Sequence, residues 1–441
     1  MSKRNFKLFI IILILVIVAV YGFLYLRAPK DEGGVSPTNF LAKFNPFGKS
    51  KKSAPPPGET SEETGGDIPL GEGSEAKLRL ISSMPVAGFG VFQKERIKDV
   101  LFAPTLGDPT SQQGEPLLKE EISVTTEFVP ALRYVEKATG NIYQTFADKI
   151  EEQKFSKTLI PRVYEASFGK NAESVILRYL KTDDRTIVTF AGGLPKENLN
   201  DTPSLEREIA GTFLPENISD IVLSPDKSQV FYLLNIGEGV VGITSGILGD
   251  KKVQVFDSPF AEWLSQWPNV DMITITTKPS AGVPGYMYTI NPNKKDLNKA
   301  LDNINGLTTL TSPDGKLVLW SDNSLSLGIY DIETQGGGLL NAKTLPEKCV
   351  WNNTSEVIYC SVPKFPGGSS FPDTWYKGEI SFSDEIWKID VATQSGAVIS
   401  DLTSSRGIED MDNIKLALDQ DESYLFFINK KDSRLWELKL K

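Results

Sequence analysis

An all-β fold made of repeated four-stranded units is what the sequence predicts, on three observations. From residue 76 onward, short apolar runs rich in β-branched and aromatic residues alternate with Gly, Asn, Asp, Ser and Pro turns, and long amphipathic helical patterns are few. A strand–turn–strand signature of S-P-D-G type recurs through that region. Interleaved with it runs a second signature, a strand ending in an acidic residue followed by x-x-Thr and a Gly.

The first signature is clearest in IVLSPDKSQVFY (221–232) and TLTSPDGKLVLW (309–320). Pro presets φ for the turn and Gly accepts positive φ. Looser copies are ASFGKN (166–171) before SVIL (174–177), VWNNTS (350–355) before VIY (357–359), and LALDQD (416–421) before YLFF (424–427). The second signature appears in YVEKATG (134–140), YDIETQG (330–336) and IDVATQSG (389–396), where a short carboxylate and a Thr hydroxyl can bond the turn amides. Those Asp and Thr residues are therefore read as structural.

Together the signatures define a four-stranded unit repeating every ~40–60 residues, the interval of a β-propeller blade. Inner strands fall near 85–92, 163–168, 219–224, 261–268, 306–311, 348–351 and 411–417, which predicts a seven-bladed β-propeller, with six or eight blades as the alternatives. The ends supply a separate clue. RLWELKL (434–440) reads as the third strand of a last blade that lacks a fourth, and KLRLISS (77–83) is a lone strand ahead of the first unit. Pairing of the two would remove an exposed sheet edge and shut the ring.

Over residues 76–441 the alternating motifs resemble the TolB-type and WD40-like propeller repeats of exported bacterial proteins. The Gly-His and Trp-Asp marks of true WD40 repeats are missing, and the blades are uneven. The resemblance implies an exported binding platform rather than any particular ligand.

Residues 8–26, LFIIILILVIVAVYGFLYL, carry no charge and are long enough at ~1.5 Å per residue to cross a hydrocarbon core about 30 Å thick. With Lys3, Arg4 and Lys7 ahead of it, this run is expected to be an uncleaved signal anchor. Residues 1–7 would then stay in the cytoplasm and the C-terminal domain would be extracytoplasmic, periplasmic or at the cell surface. Residues 27–75 include PPPG (55–58) and ETSEETGG (59–66) and bury too little apolar surface to order, so they read as a flexible, disordered linker. The expected partners are thus the bilayer, through residues 8–26, and a protein or envelope glycan.

Composition narrows the chemistry. Lys and Arg number 47 against 57 Asp and Glu, a net charge of −10, which repels a polyanion and argues against nucleic acid. The chain has no histidine, which removes Ser-His-Asp and Cys-His mechanisms and the common His-based metal sites. No G-x-S-x-G elbow occurs, and Ser312-Pro313-Asp314-Gly315 places its Gly one position too early for a sialidase-type Asp box. No catalytic constellation, cofactor or metal is therefore expected. The alternative is a histidine-free, carboxylate-based carbohydrate-active enzyme working in the propeller channel, recognisable by two carboxyl groups about 5–9.5 Å apart in a concave pocket.

Three local features complete the expectations. Cys349 and Cys360, the only cysteines, flank a predicted hairpin and would face each other across it, which suits a cross-strand disulfide in an oxidising exterior; buried thiols are the alternative. Residues 93–126 and 364–382 read as long loops, and in the second of them Trp375 and Tyr376 beside Gly-rich backbone are candidate binding residues. Trp263 and Trp267 are read as blade core.

Overall fold

The protein is described by a computed structural model over residues 78–98, 125–149, 151–197, 208–368, 370–402 and 410–441. The expected anchor at residues 8–26 and the expected linker lie outside the described residues. Among the described residues no helix is long and apolar enough to cross a membrane.

Seven four-stranded antiparallel sheets form the blades of a propeller. Strand β1 (Leu78–Leu80) precedes blade 1, which is β2 (Val86–Ile97), β3 (Thr126–Glu136), β4 (Ile142–Phe146) and β5 (Gln153–Lys154). Blade 2 is β6 (Val163–Phe168), β7 (Ser174–Leu180), β8 (Ile187–Gly193) and β9 (Ala210–Phe213). Blade 3 is β10 (Ile218–Leu223), β11 (Gln229–Ile236), β12 (Gly239–Gly246) and β13 (Val253–Ser258). Blade 4 is β14 (Trp263–Asn269), β15 (Met272–Thr277), β16 (Pro284–Ile290) and β17 (Leu297–Asn305). Blade 5 is β18 (Thr308–Thr311), β19 (Leu317–Ser321), β20 (Ser326–Asp331) and β21 (Gly337–Lys343). Blade 6 is β22 (Cys349–Trp351), β23 (Val357–Pro363), β24 (Asp384–Asp390) and β25 (Ser395–Asp401), with the short helix α1 (Asp373–Tyr376) between β23 and β24. Blade 7 runs β26 (Asn413–Leu418), β27 (Tyr424–Asn429), β28 (Leu435–Lys439) and then β1, so the first strand supplies the fourth place of the last sheet.

Period-two side-chain alternation explains why the middle strands read as unbroken apolar runs. In β27, Leu425 and Phe427 pack toward blade 6 while Phe426 and Ile428 pack toward blade 1. In β11, Val230 and Tyr232 face blade 2, and Phe231 and Leu233 face blade 4. Each of the seven seams between neighbouring blades holds its own apolar cluster, the seam between blades 7 and 1 included. Trp263 is buried in the seam between blades 3 and 4, and Trp267 packs against the same cluster.

The recurring turns work as the sequence suggests. The Ser224 hydroxyl accepts from the Gln229 amide at 2.9 Å and donates to Asp226 at 2.7 Å; Ser312 repeats the pattern with Leu317 at 3.0 Å. Asp331 accepts from the amides of Glu333 and Thr334, and Asp390 from the amide and hydroxyl of Thr393, in the turns before the outer strands of blades 5 and 6. The Glu136 copy sits one turn earlier in its blade, between β3 and β4. The segment beginning at Gln93, expected as loop, instead stays extended to Ile97. It pairs residue by residue with Thr126–Pro130, because its polar side chains find cross-strand partners such as Arg96 with Glu127 at 2.8 Å.

Candidate functional site

The inner strands β2, β6, β10, β14, β18, β22 and β26 ring the propeller axis. Gly88 and Gly90 let β2 lie against β6 with almost no gap. A Cβ on Gly88 would stand 2.0 Å from the Ala166 carbonyl oxygen, and one on Gly90 would stand 2.6 Å from the Phe168 Cβ. Between β26, β2, β6 and the end of β10 the channel opens into a cavity of about 360 Å³. Its walls carry Phe89, Val91, Glu165, Ser167, Lys227 and Lys415. A neighbouring cavity of about 250 Å³ shares Val91, Lys227 and Leu418 with the first and adds Lys170 and Asp226.

The carboxylates of this region are engaged. Glu165 lies opposite Arg178 in the β6–β7 register and receives a 2.5 Å charge-assisted bond from it, while another guanidinium N–H donates to the Ile218 carbonyl at 2.7 Å. Asp220 accepts from the amide and hydroxyl of Ser265 at 2.6 and 2.7 Å; burial, against those bonds, pushes its carboxyl above the usual range. Asp226 is tied into its own turn by Ser224 and Ser228. The lysines are less well provided for. Lys415 donates to the Ala87 carbonyl at 3.2 Å, and the Lys227 ammonium has no hydrogen-bond or ion-pair partner among the described residues. Burial lowers the pKa of both.

The loop between β23 and β24 holds the aromatic pair. Trp375 is only 3% exposed, in a cluster with Leu325, Leu345, Phe371 and Phe382. Its indole N–H donates to Asp412 at 2.8 Å. Beneath it the fully buried Lys348 ammonium lies between Asp384, at 2.8 Å, and Asp412. Burial pushes the Asp384 carboxyl up. Burial acts on Asp412 in the same sense, yet Lys348 and the bonds from Phe382 and Trp375 hold it below the usual range. At the other end Asp373 accepts from the Ala281 amide of blade 4, so the loop lies as a strap over blades 4 to 7. Trp375 is thus a structural anchor of that strap and not a contact surface, because its ring finds apolar cover and its N–H a buried acceptor. Tyr376 stays at the rim, 37% exposed, with its hydroxyl bonded to Glu347.

Cys349 and Cys360 stand opposite each other in the β22–β23 register and are joined by a disulfide in the seam between blades 5 and 6. No group of three or more His, Cys, Asp or Glu residues among the described residues could hold a metal ion. The channel residues Glu165, Arg178, Lys227 and Lys415 were not singled out by the sequence reading. The one available signal was a charged residue interrupting an inner strand, as Glu165 does in VYEASF and Lys415 in NIKLAL.

No family model matches the chain, and no curated protein matches it. Among solved structures, the tricorn protease is similar at 13% identity and a TM-score of 0.34, over 68% of this chain and 27% of that one. The chain therefore spans about a quarter of that enzyme's length. A functionally unknown protein from Desulfotomaculum acetoxidans is similar at 12% identity and a TM-score of 0.44, over 69% of this chain and 91% of that one.

Proposed function

We propose that this chain is an extracytoplasmic binding scaffold, held to the bilayer by residues 8–26, that takes a protein or envelope-glycan partner on one face of its propeller. The observation that carries the reading is the strap between β23 and β24, which holds exposed Phe365 and Tyr376 on one face of the ring; exposed large apolar side chains as such occur on both faces, Phe128 and Val270 among those on the other. Antiparallel order puts the starts of the inner strands, and the loops between second and third strands, on the same face. That face carries Leu159, Ile236, Phe260, Val283 and Phe365, the last 86% exposed, together with the rim of Tyr376. Trp375 and its neighbours stiffen the strap that presents Phe365 and Tyr376, so these side chains are offered on ordered backbone. The disulfide between Cys349 and Cys360 suits an oxidising compartment, which supports export.

The test is site-specific photocrosslinking of the full chain in its native membrane. A photoreactive residue replaces Phe260 or Phe365 on this face, or Val270 or Leu248 in the turns of the opposite face. One discrete adduct is expected from the first pair and none from the second. Adducts from both faces alike, or from neither, would overturn the proposal.

A further inference from the structure

Two lysines in the channel occupy backbone positions that disfavour any side chain. Lys227 sits where Gly315 sits in the equivalent turn of blade 5, at φ 58°, and Lys415 sits at φ 54° in a bulge of β26. A left-handed residue other than glycine costs about 1–2 kcal/mol; the place Lys227 takes is left-handed in blades 6 and 7 too, at Ser355 and Glu422, so the turn itself sets it. Both residues line the same 360 Å³ cavity.

We propose that the central channel contains an anion site in which Lys227 and Lys415 together hold a carboxylate or phosphoryl group. The nearby carboxylates have bonded partners of their own: Glu165 bonds Arg178, though both also act on Lys415 through space, Asp220 bonds Ser265, and Asp226 bonds Ser224 and Ser228. Lys170 adds a further cation to the adjoining cavity. Low-dielectric walls focus the field of such a cluster, so a local positive site persists in a protein whose net charge is −10. An anion bound beside either ammonium offsets the desolvation that lowers its pKa. A cavity of this size takes a small organic anion or one or two acidic side chains of a peptide. The Ser167 hydroxyl on the same wall can donate to it. The site is distinct from the docking face, and either can fail without the other.

The experiment is calorimetric titration of the full chain in neutral-lipid nanodiscs at low ionic strength, with citrate, inorganic phosphate and a penta-aspartate peptide as probes. Lys227→Gly restores the glycine of the turn and Lys415→Asn suits a left-handed position, so both variants keep the fold, as a thermal melt would verify. Saturable binding is expected, weakened at least about tenfold by each substitution, the range of one charge-assisted hydrogen bond, and abolished by both together. Lys227→Arg should retain binding. Saturation by citrate or phosphate without the peptide identifies a free small anion; tighter binding of the peptide identifies an acidic segment of a partner. Absence of saturation by every probe, or equal binding by the double variant, overturns the site.

Discussion

Arg79 and Glu437 face each other in register, 358 positions apart in the chain, and join through a 2.8 Å ion pair. Glu437 is buried in β28, and Arg79 also donates to the Ala147 carbonyl of blade 1. One guanidinium thus ties the closing strand both to the last blade and to the first, at the seam a propeller must shut to avoid an open edge.

Arg79→Ala is expected to destabilise the domain by about 3 kcal/mol at pH 8, because it leaves a buried carboxylate without its cation. Chemical denaturation would measure this. A loss below about 1 kcal/mol would mean that ring closure does not depend on the pair.

The same pair predicts a pH dependence. Burial, against the pull of Arg79, raises the Glu437 carboxyl to about 7 from 4.5. A carboxyl raised on folding binds a proton more tightly in the native state, so its favourable contribution is complete below the unfolded value and is lost as pH rises through 7. Glu437→Gln should therefore change stability little at pH 4 and raise it at pH 8 by up to the order of 3 kcal/mol. Parallel melts of the two proteins across that range would show the curves separating; curves that stay parallel would contradict it.

Replacing Cys349 and Cys360 together by Ser should cost about 2–3 kcal/mol, the loop-closure value for so short a ring. Since both sulfurs are buried in the seam between blades 5 and 6, reductant should act on the native protein only through opening of that seam. Rapid thiol release from the folded protein would count against this placement.

Gly88→Ala places a methyl group on backbone, the Ala166 carbonyl, and not on a side chain that could turn away. A loss of about 1–3 kcal/mol is expected, the usual cost of overpacking, together with weaker protection of β2 and β6 amides in hydrogen exchange. Unchanged protection would show that the two strands can separate freely.

Trp375→Ala should cost about 3–5 kcal/mol, and Trp375→Phe less, since it removes the bond to Asp412 but retains most of the packing. Equal losses would indicate that the hydrogen bond, and not the ring, holds the strap.

Sequence alone determined the architecture, because a propeller is a local and repetitive object. Turn chemistry at S-P-D-G, period-two burial and a surplus strand at the N-terminus are each readable within a dozen residues, and they placed the seven inner strands to within a few positions. The cysteine spacing of eleven likewise needed only a hairpin to set Cys349 opposite Cys360. Only the tertiary structure decided what each conspicuous side chain does. Trp375 looked like a contact residue because composition marks a loop without showing what folds over it; its burial depends on Asp412, which arrives from blade 7, and on Lys348 at the entry to β22. Lys227 looked like an ordinary turn residue and Lys415 like a strand charge. Their meeting on one cavity arises from blades 3 and 7 lying on either side of blades 1 and 2 around an axis, a proximity that closure of the ring creates and that no local pattern encodes.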